Sequence, residues 1–211
     1  MIVAIDGPAG SGKGTIAKKL AEYFNLSYLD TGILYRAVAL QMLTEGINEN
    51  DYRSAQKVAQ QVSIASIDHT GIRTRAVSDL ASKIATISTV RQELLTRQRR
   101  FAQNPDPDKD GAILDGRDIG TVVCPNADFK LFIMAELEIR AKRRWKELLQ
   151  SDPTAIYCEV LEEMRSRDER DTNRKDAPLV VTSDAMIIDT SNKSIDVSFN
   201  EAKNWILSRR F

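Results

Sequence analysis

Short, unbroken apolar runs recur along the chain and stop at polar turns: Ile2-Val3-Ala4-Ile5, Ala112-Ile113-Leu114, Leu131-Phe132-Ile133-Met134 and Met186-Ile187-Ile188, with a weaker Ser27-Tyr28-Leu29. Runs without apolar/polar alternation are what strands covered on both faces of a parallel sheet require. Between them the spacing turns helical: Ile16, Leu20 and Phe24 lie four residues apart, Leu34 to Leu43 continues in kind, and Ile195, Phe199, Ala202 and Ile206 repeat the pattern near the end. Strands alternating with helices predict an α/β doubly wound fold, a parallel five-stranded sheet flanked by helices. In such folds ligands bind at the carboxyl ends of the strands.

Two stretches break the rhythm. Residues 51–104 hold two or three helical patterns and no convincing strand, with the weak turn Asp68-His69-Thr70-Gly71 among them. Residues 150–178 are dense in charge, open with Asp152-Pro153 and close at Pro178. Both read as insertions over the active edge of the sheet within one domain spanning 1–211, and no repeat or low-complexity linker interrupts it.

Composition narrows the function classes. With 211 residues, 42% of them apolar, the chain can bury a real core. Lys plus Arg and Asp plus Glu both number 30, so the global field favours neither nucleic acid nor an anionic membrane, and any anion site must be local. No apolar run reaches 18 residues, so neither a membrane span nor a signal peptide is expected. Cys124 and Cys158 read as reduced packing thiols of a cytoplasmic protein. His69 is the single histidine, which excludes zinc chemistry needing two, and it reads as a solvated loop residue.

The chemistry starts directly after the first strand, at Gly7-Pro8-Ala9-Gly10-Ser11-Gly12-Lys13-Gly14-Thr15. A glycine-rich turn between a buried strand and a helix start lets consecutive N–H groups point at one anion, and Lys13 at the helix opening reaches a β- or γ-phosphate. The usual phosphate loop places a hydroxyl immediately after its lysine. Here Gly14 stands there and Thr15 follows, so Thr15 becomes the candidate metal contact, direct or through water. The candidate acid is Asp115, at the end of Ala112-Ile113-Leu114, where a strand-end Mg²⁺ carboxylate stands in such folds; its other reading is a turn or capping residue.

Four further segments matter together: Asp30-Thr31-Gly32-Ile33-Leu34-Tyr35-Arg36, Asp115-Gly116-Arg117-Asp118-Ile119-Gly120-Thr121, Arg167-Asp168-Glu169-Arg170-Asp171-Thr172-Asn173-Arg174 and Ala177-Pro178-Leu179. Arg36, Arg117 and Arg174 follow strand ends or lie in the charged insertion, and a guanidinium's planar fork suits phosphate. Arg167, Arg170 and Arg174 fall at i, i+3 and i+7, which predicts one helical face. A solvated, ion-paired helix is the alternative for that segment. No side chain stands out as a general base. A monophosphate acceptor needs none, because its oxygen is already an anionic nucleophile, whereas an alcohol acceptor would profit from a placed carboxylate, with Asp30 or Asp118 the candidates.

With the phosphate loop in front, these segments resemble the bacterial cytidylate kinases of the nucleoside monophosphate kinase family along nearly the whole chain. The Gly-Lys-Gly-Thr ending is typical of the whole family, and the Asp115–Val123 and Arg167–Arg174 segments are more specific to the cytidylate branch. The resemblance implies transfer of the γ-phosphate of ATP, with Mg²⁺, to CMP or dCMP. The zero net charge and the lack of an apolar span argue against nucleic-acid and membrane partners, and no apolar, exposed helix face stands out as an interface, so a monomer is expected. The resemblance also implies an acceptor-nucleotide segment at about 31–104 and an arginine-rich lid at about 150–178. Gly7, Pro8, Ala9, Gly10, Ser11, Gly12, Lys13, Gly14 and Thr15 would hold ATP. Thr31, Tyr35 and Arg36 would hold the acceptor, with Arg36, Arg117 and Arg174 on its phosphate, Ser82, Arg91 and Asp118 on cytosine, and Asp171 with Arg167 on the ribose. Lys13, Arg117, Arg167, Arg170 and Arg174 would carry the transition-state charge, some of them only after lid closure. One departure is plain: many members carry a longer insert folded as a small sheet over the acceptor, and only Ser63–Arg75 is available here, too short for three strands. The alternatives are a kinase of another small acceptor (UMP, AMP or an alcohol) and a nucleotide-binding module without turnover.

Overall fold

Every residue of β3 (Ala112–Gly116) is buried, and so is all but the first of β1 (Ile2–Asp6), as befits strands without an alternating pattern. In the computed structural model, which describes residues 1–62, 71–150 and 152–209, these two lie side by side at the centre of a parallel sheet. β2 (Ser27–Asp30), β4 (Phe129–Met134) and β5 (Met186–Asp189) complete the order β2-β3-β1-β4-β5. All five apolar runs are strands. The pattern misjudges the last: β5 is an edge strand in which Ile188 is buried and Ile187 is 51% exposed, so a short apolar run does not guarantee cover on both faces.

The helices are α1 (Lys13–Tyr23), α2 (Gly32–Thr44), α3 (Tyr52–Gln61), α4 (Arg75–Ile84), α5 (Ser88–Gln103), α6 (Leu137–Leu148), α7 (Tyr157–Asn173) and α8 (Ile195–Leu207). One sheet face packs Val3, Ile5, Ile113, Leu131 and Ile133 against Ile16 and Leu20 of α1 and Ala202 and Ile206 of α8. The other packs Ala4, Leu29 and Leu114 against Ala102 of α5 and against a π-helical turn, Ile119–Val123. Leu34 and Val38 of α2 form a separate core with α3, α4 and α5. Ala141, Val160 and Met164 join α6 to α7. Neither α6 nor the π-helical turn is announced by apolar spacing, since α6 buries only Arg140 and Ala141. The helical face expected for 167–174 is also cut short: α7 ends at Asn173, and Arg174 is extended (φ −60°, ψ 142°). His69, with most of its turn and of the short Ser63–Arg75 cover, lies outside the described residues.

The register sets the working end. Asp6 pairs with Gly116 and Asp30 with Asp115 across adjacent strands, so the carboxyl ends of β1, β2 and β3 present their polar residues together. Gly7 turns the chain there at φ +151°, and a Cβ on it would lie 2.0 Å from the Ile133 carbonyl oxygen on β4. That neighbour is backbone and cannot rotate away. Gly7→Ala should therefore destabilise the fold by at least about 3 kcal/mol. An unchanged urea midpoint would contradict this packing.

Candidate active site

The loop from Gly7 to Gly12 joins β1 to α1, with Gly10 and Gly12 in the left-handed region (φ 72° and 86°). These turns aim successive N–H groups inward, where an anion can meet them, and turn the carbonyls outward. The carbonyls from Pro8 to Gly12 are all engaged. Lys13 Nζ donates to Pro8 O at 3.4 Å, Arg140 Nη1 to Ala9 O at 3.2 Å, and Arg143 Nη1 to Gly10 O at 3.4 Å. The Thr190 hydroxyl donates to Ser11 O at 2.8 Å, and Ile16 N to Gly12 O at 3.1 Å. Arg140 and Arg143 come from α6 and Thr190 from the end of β5, so distant parts of the chain fix the loop's orientation.

Above the loop lies a cavity where Lys13, Lys18, Arg36, Arg73, Arg117 and Arg167 face two carboxylates, Asp30 and Asp115. Burial, reinforced by Arg117, depresses Lys13 to about 7, and its ammonium rests on the loop's own Pro8 carbonyl. Burial, then Arg117, lowers Arg167 to about 10. Burial lowers Arg36 as well, with Arg144, Arg73 and Arg117 adding to it against Asp30. Burial and the adjacent Asp30 raise Asp115 to about 6. The Tyr28 hydroxyl, kept protonated by burial and by Asp115, donates to Asp115 Oδ1 at 2.9 Å. Cations crowded without enough acids make a site that gains stability when a polyanion enters.

A second cavity opens from the first over Lys13, Asp30, Arg117 and Arg167, and is walled by Thr31, Tyr35, Ser82, Arg91, Asp118, Asp171 and Arg174. Its floor is a buried ion network. Asp118 accepts from Arg91 through Oδ2 and from Arg174 Nη2 at 3.4 Å through Oδ1. Asp171 Oδ2 pairs with Arg117 Nε at 2.8 Å and Arg167 Nε at 4.0 Å. Although burial raises Asp171, Arg117 and Arg167 outweigh it and hold the carboxyl below the usual range. Asp6 supports the arrangement from beneath, accepting Ile119 N and Gly120 N at 2.8 Å each and so fixing the π-helical turn just after Asp118. Burial still lifts Asp6 to about 6.

The charged helix α7 lies over both cavities. Arg140 Nη2 pairs with Asp168 at 2.7 Å on the loop side. On the α4 side, Arg75 binds Glu159 and Glu163, and Arg170 binds Asp79 Oδ1 at 3.1 Å and Ser82 Oγ at 3.2 Å.

Comparison with known proteins fits this geometry. The family model for cytidylate kinase matches residues 3–206. The chain is 50% identical over 209 residues to the cytidylate kinase of Paramagnetospirillum magneticum, covering 99% of both chains. It is 48% identical to that of Azorhizobium caulinodans, covering 96% of both. The chain belongs to the cytidylate kinase family. Among solved structures it resembles, in fold alone, an uncharacterised protein from Eubacterium ventriosum (TM-score 0.55, 16% identity, 99% of both chains covered). It likewise resembles the shikimate kinase of Bacteroides thetaiotaomicron (TM-score 0.52, 10% identity, 98% of both covered).

In this cytidylate kinase family member the residues singled out from sequence distribute unevenly. Ala9, Gly10, Gly12, Lys13, Gly14 and Thr15 of the loop line the first cavity with Arg36, Asp115, Arg117 and Arg167, whereas Gly7, Pro8 and Ser11 do not; Thr31, Tyr35, Ser82, Arg91, Asp118, Asp171 and Arg174 line the second. Arg170 borders neither, and turns to α4. The Thr31 hydroxyl donates to the Asp115 carbonyl at 2.8 Å, so it ties β2 to β3. Arg140, Arg143, Thr190 and Asp6 escaped notice. The run Ile139-Arg140-Ala141-Lys142-Arg143-Arg144 directly after β4 was a usable signal for two of them, but nothing local marks Thr190.

Two measurements test this construction. Thr190→Val leaves the Ser11 carbonyl without its donor and should raise the KM for ATP about tenfold, the equivalent of a buried unsatisfied group at about 1.4 kcal/mol. Unchanged kinetics would show the strap to be dispensable. A phosphate against Lys13 restores its charge, so at pH 8 ATP binding should take up as much as about one proton, and ATP affinity should fall as pH rises from 7. Calorimetry in buffers of different ionisation enthalpy reads this uptake. Its persistence in Lys13→Met would assign the proton elsewhere.

Proposed function

We propose that the chain is a kinase that moves the γ-phosphoryl group of ATP to CMP or dCMP, giving the diphosphate and ADP. The observation that carries the reading is the pair of cavities that meet over Arg117 and Arg167. One is backed by the phosphate loop, and the other ends on Asp118 between Arg91 and Arg174. In this reading Lys13 leaves Pro8 O for the donor phosphates. Arg36 and Arg117 bind the acceptor phosphate beside Arg174, and Arg167 lies between the two nucleotides. The acceptor's phosphate oxygen attacks γ-phosphorus while the bond to the ADP oxygen breaks, and no base is required. An alcohol acceptor fits less well, because of the carboxylates lining the acceptor cavity Asp118 is engaged by two arginines and Asp171 by Arg117 and Arg167, which leaves Asp30 as the one candidate base.

Asp118 also gives a reason for cytosine. Its carboxylate accepts from the exocyclic amine, whereas the oxygen of uracil at that position would meet an acceptor with an acceptor. Ser82 and Arg91 are placed for the rest of the base edge, and Asp171 for the ribose.

The residues fit Mg²⁺. Asp30 and Asp115 are neighbouring hard oxygen donors at the loop cavity, Asp115 Oδ2 lies 3.5 Å from where a Cβ on Gly14 would stand, and Thr15 is one residue away. Among the described residues no three acidic, His or Cys side chains converge on one point, the usual situation when phosphate oxygens complete the coordination. Held there by Asp115, with Asp30 and Thr15 at hand, Mg²⁺ would offset the charge of the phosphates. Among the described residues no helix is long and apolar enough to cross a membrane, and Cys124 and Cys158 are unpaired. We place the enzyme in the cytoplasm, where two such thiols stay reduced.

An ADP-release assay decides the matter. CMP and dCMP should accelerate ATP consumption at least about 100-fold over hydrolysis, with UMP and AMP far behind. No stimulation by cytidine nucleotides would overturn the assignment, and stimulation by an alcohol would point to the other kinase class.

A further inference from the structure

We propose that Asp176 is a positioning residue for the acceptor nucleotide, holding Arg174 and Arg91 in register on Asp118; the inference rests on the kinase reading above. Asp176 lies in the turn Lys175-Asp176-Ala177-Pro178, which carries the chain away from the end of α7. The turn is strained. Ala177 is a non-glycine residue at φ 51°, in the left-handed region, where a side chain stays only if its surroundings hold it. Two contacts come from the turn's own neighbourhood: Arg174 Nε donates to the Ala177 carbonyl at 2.7 Å, and Leu179 N donates to the Asp171 carbonyl at 2.8 Å. The third reaches another helix, because the Ser88 hydroxyl of α5 donates to Asp176 Oδ2.

Ser88 opens α5, and Arg91 follows three residues later on the same face. Arg91 binds Asp118, Asp118 also accepts from Arg174, and Arg174 grips the carbonyl next to Asp176. These contacts close a ring that runs from Ser88 through Asp176, Arg174, Asp118 and Arg91 and returns along α5. Arg91, Asp118 and Arg174 line the acceptor cavity, whereas Ser88 and Asp176 do not. Asp176 therefore acts on the nucleotide through its neighbours.

Charge points the same way. Two guanidiniums on Asp118 leave one positive charge in excess, and Asp176 supplies the second carboxylate. Although burial works against it, Tyr35, Asp118 and Asp176 together strengthen the hold of Arg91 on its proton. α5 itself starts with no side-chain cap and no acid in its first turn, so Asp176 brings from outside the negative charge that a helix N-terminus favours. The first turn of α5, with Arg91 on it, and the end of α7, with Arg174 just beyond it, are thereby fixed to each other. Without this anchor the two arginines would have to be ordered again each time the acceptor binds, a cost that falls on CMP and spares ATP.

The test measures KM and calorimetric affinity for CMP and for ATP in wild type, Asp176→Ala, Asp176→Asn and Ser88→Ala. Asp176→Ala should weaken CMP about 5- to 10-fold, with ATP affinity and kcat within about twofold of wild type. Asp176→Asn keeps an acceptor for Ser88 and should recover part of the loss, and Ser88→Ala should weaken CMP about threefold. Because the two side chains act through one bond, the double variant of Ser88→Ala and Asp176→Ala should be no worse than Asp176→Ala. A general loosening of the fold would weaken both nucleotides alike, so the ratio of the CMP loss to the ATP loss is the deciding quantity. A CMP affinity of Asp176→Ala within about twofold of wild type, equal losses for CMP and ATP, or additive losses in the double variant would each overturn the proposal. A wild-type protein without CMP-dependent turnover would instead remove the reading on which it rests.

Discussion

A backbone loop can present its N–H groups to an anion only if the carbonyls on its other side are satisfied, and most of the site depends on that constraint. The loop's inner face is set by glycine torsions, but its outer face is held by donors from α1, α6 and the end of β5. A buried carbonyl without a partner costs about 1–3 kcal/mol, which applies in full to the Ser11 carbonyl held by Thr190, and the donors to the more open carbonyls add smaller amounts, so together they bias the loop toward the anion-binding form before any ligand arrives. Lys13 differs from the other three. It belongs to α1 and its proton is weakly held, so this donor is the one that can leave for a phosphate without disturbing α6 or β5.

The second constraint is electrostatic. Burying cations disfavours folding unless acids accompany them, and the network answers this at the acceptor end, where Asp118 and Asp171 each take arginines on their oxygens. At the transfer point the answer is incomplete: Arg167 keeps a buried Nε without a hydrogen bond, and its pKa falls to about 10. The imbalance is distributed by function. In the proposed reading, the end that takes the nucleoside has its side chains locked by ion pairs that keep their geometry, and the end that takes phosphates has guanidiniums left open for the ligand to complete.

How much of this was legible follows the range of the interactions. The strands, the phosphate loop and α1 were visible because strand cover, glycine torsion and helix start are local properties of a dozen residues. Asp118 and Arg174 were visible as residue types, but their mutual contact is tertiary, and the helical spacing that placed Arg174 beside Arg167 fails one residue past the end of α7. β5 was read as doubly covered because Met186-Ile187-Ile188 looks like a central strand, and only the sheet order shows it to be an edge. Thr190 and Asp6 were invisible for a deeper reason: each acts by satisfying backbone groups far away, at Ser11 and at Ile119 and Gly120, and a backbone acceptor or donor has no sequence signature. Arg140 and Arg143 share that difficulty and carry one clue, a basic run directly after a strand.

The two sides of α7 are built from different interactions, which decides where the site parts most easily. Toward α6 it shares an apolar cluster, Ala141, Val160 and Met164 with Leu137, Trp145 and Tyr157 around them, and the Arg140–Asp168 pair, whose arginine is 6% exposed. Separating those surfaces would expose apolar area and strand a buried charge. Toward α4 the contacts are ion pairs and one hydrogen bond, from Arg170 to Ser82, and the side chains of Arg75, Glu159, Glu163 and Asp79 are all close to half exposed. Exposed pairs of that kind contribute about 0–1 kcal/mol each and are replaced readily by water. The seam between α7 and α4 is therefore the cheap one. Opening along it uncovers the acceptor cavity while the phosphate loop keeps Arg140, Arg143 and Thr190. A site assembled this way can exchange nucleotides without dismantling the half that took the most long-range contacts to build.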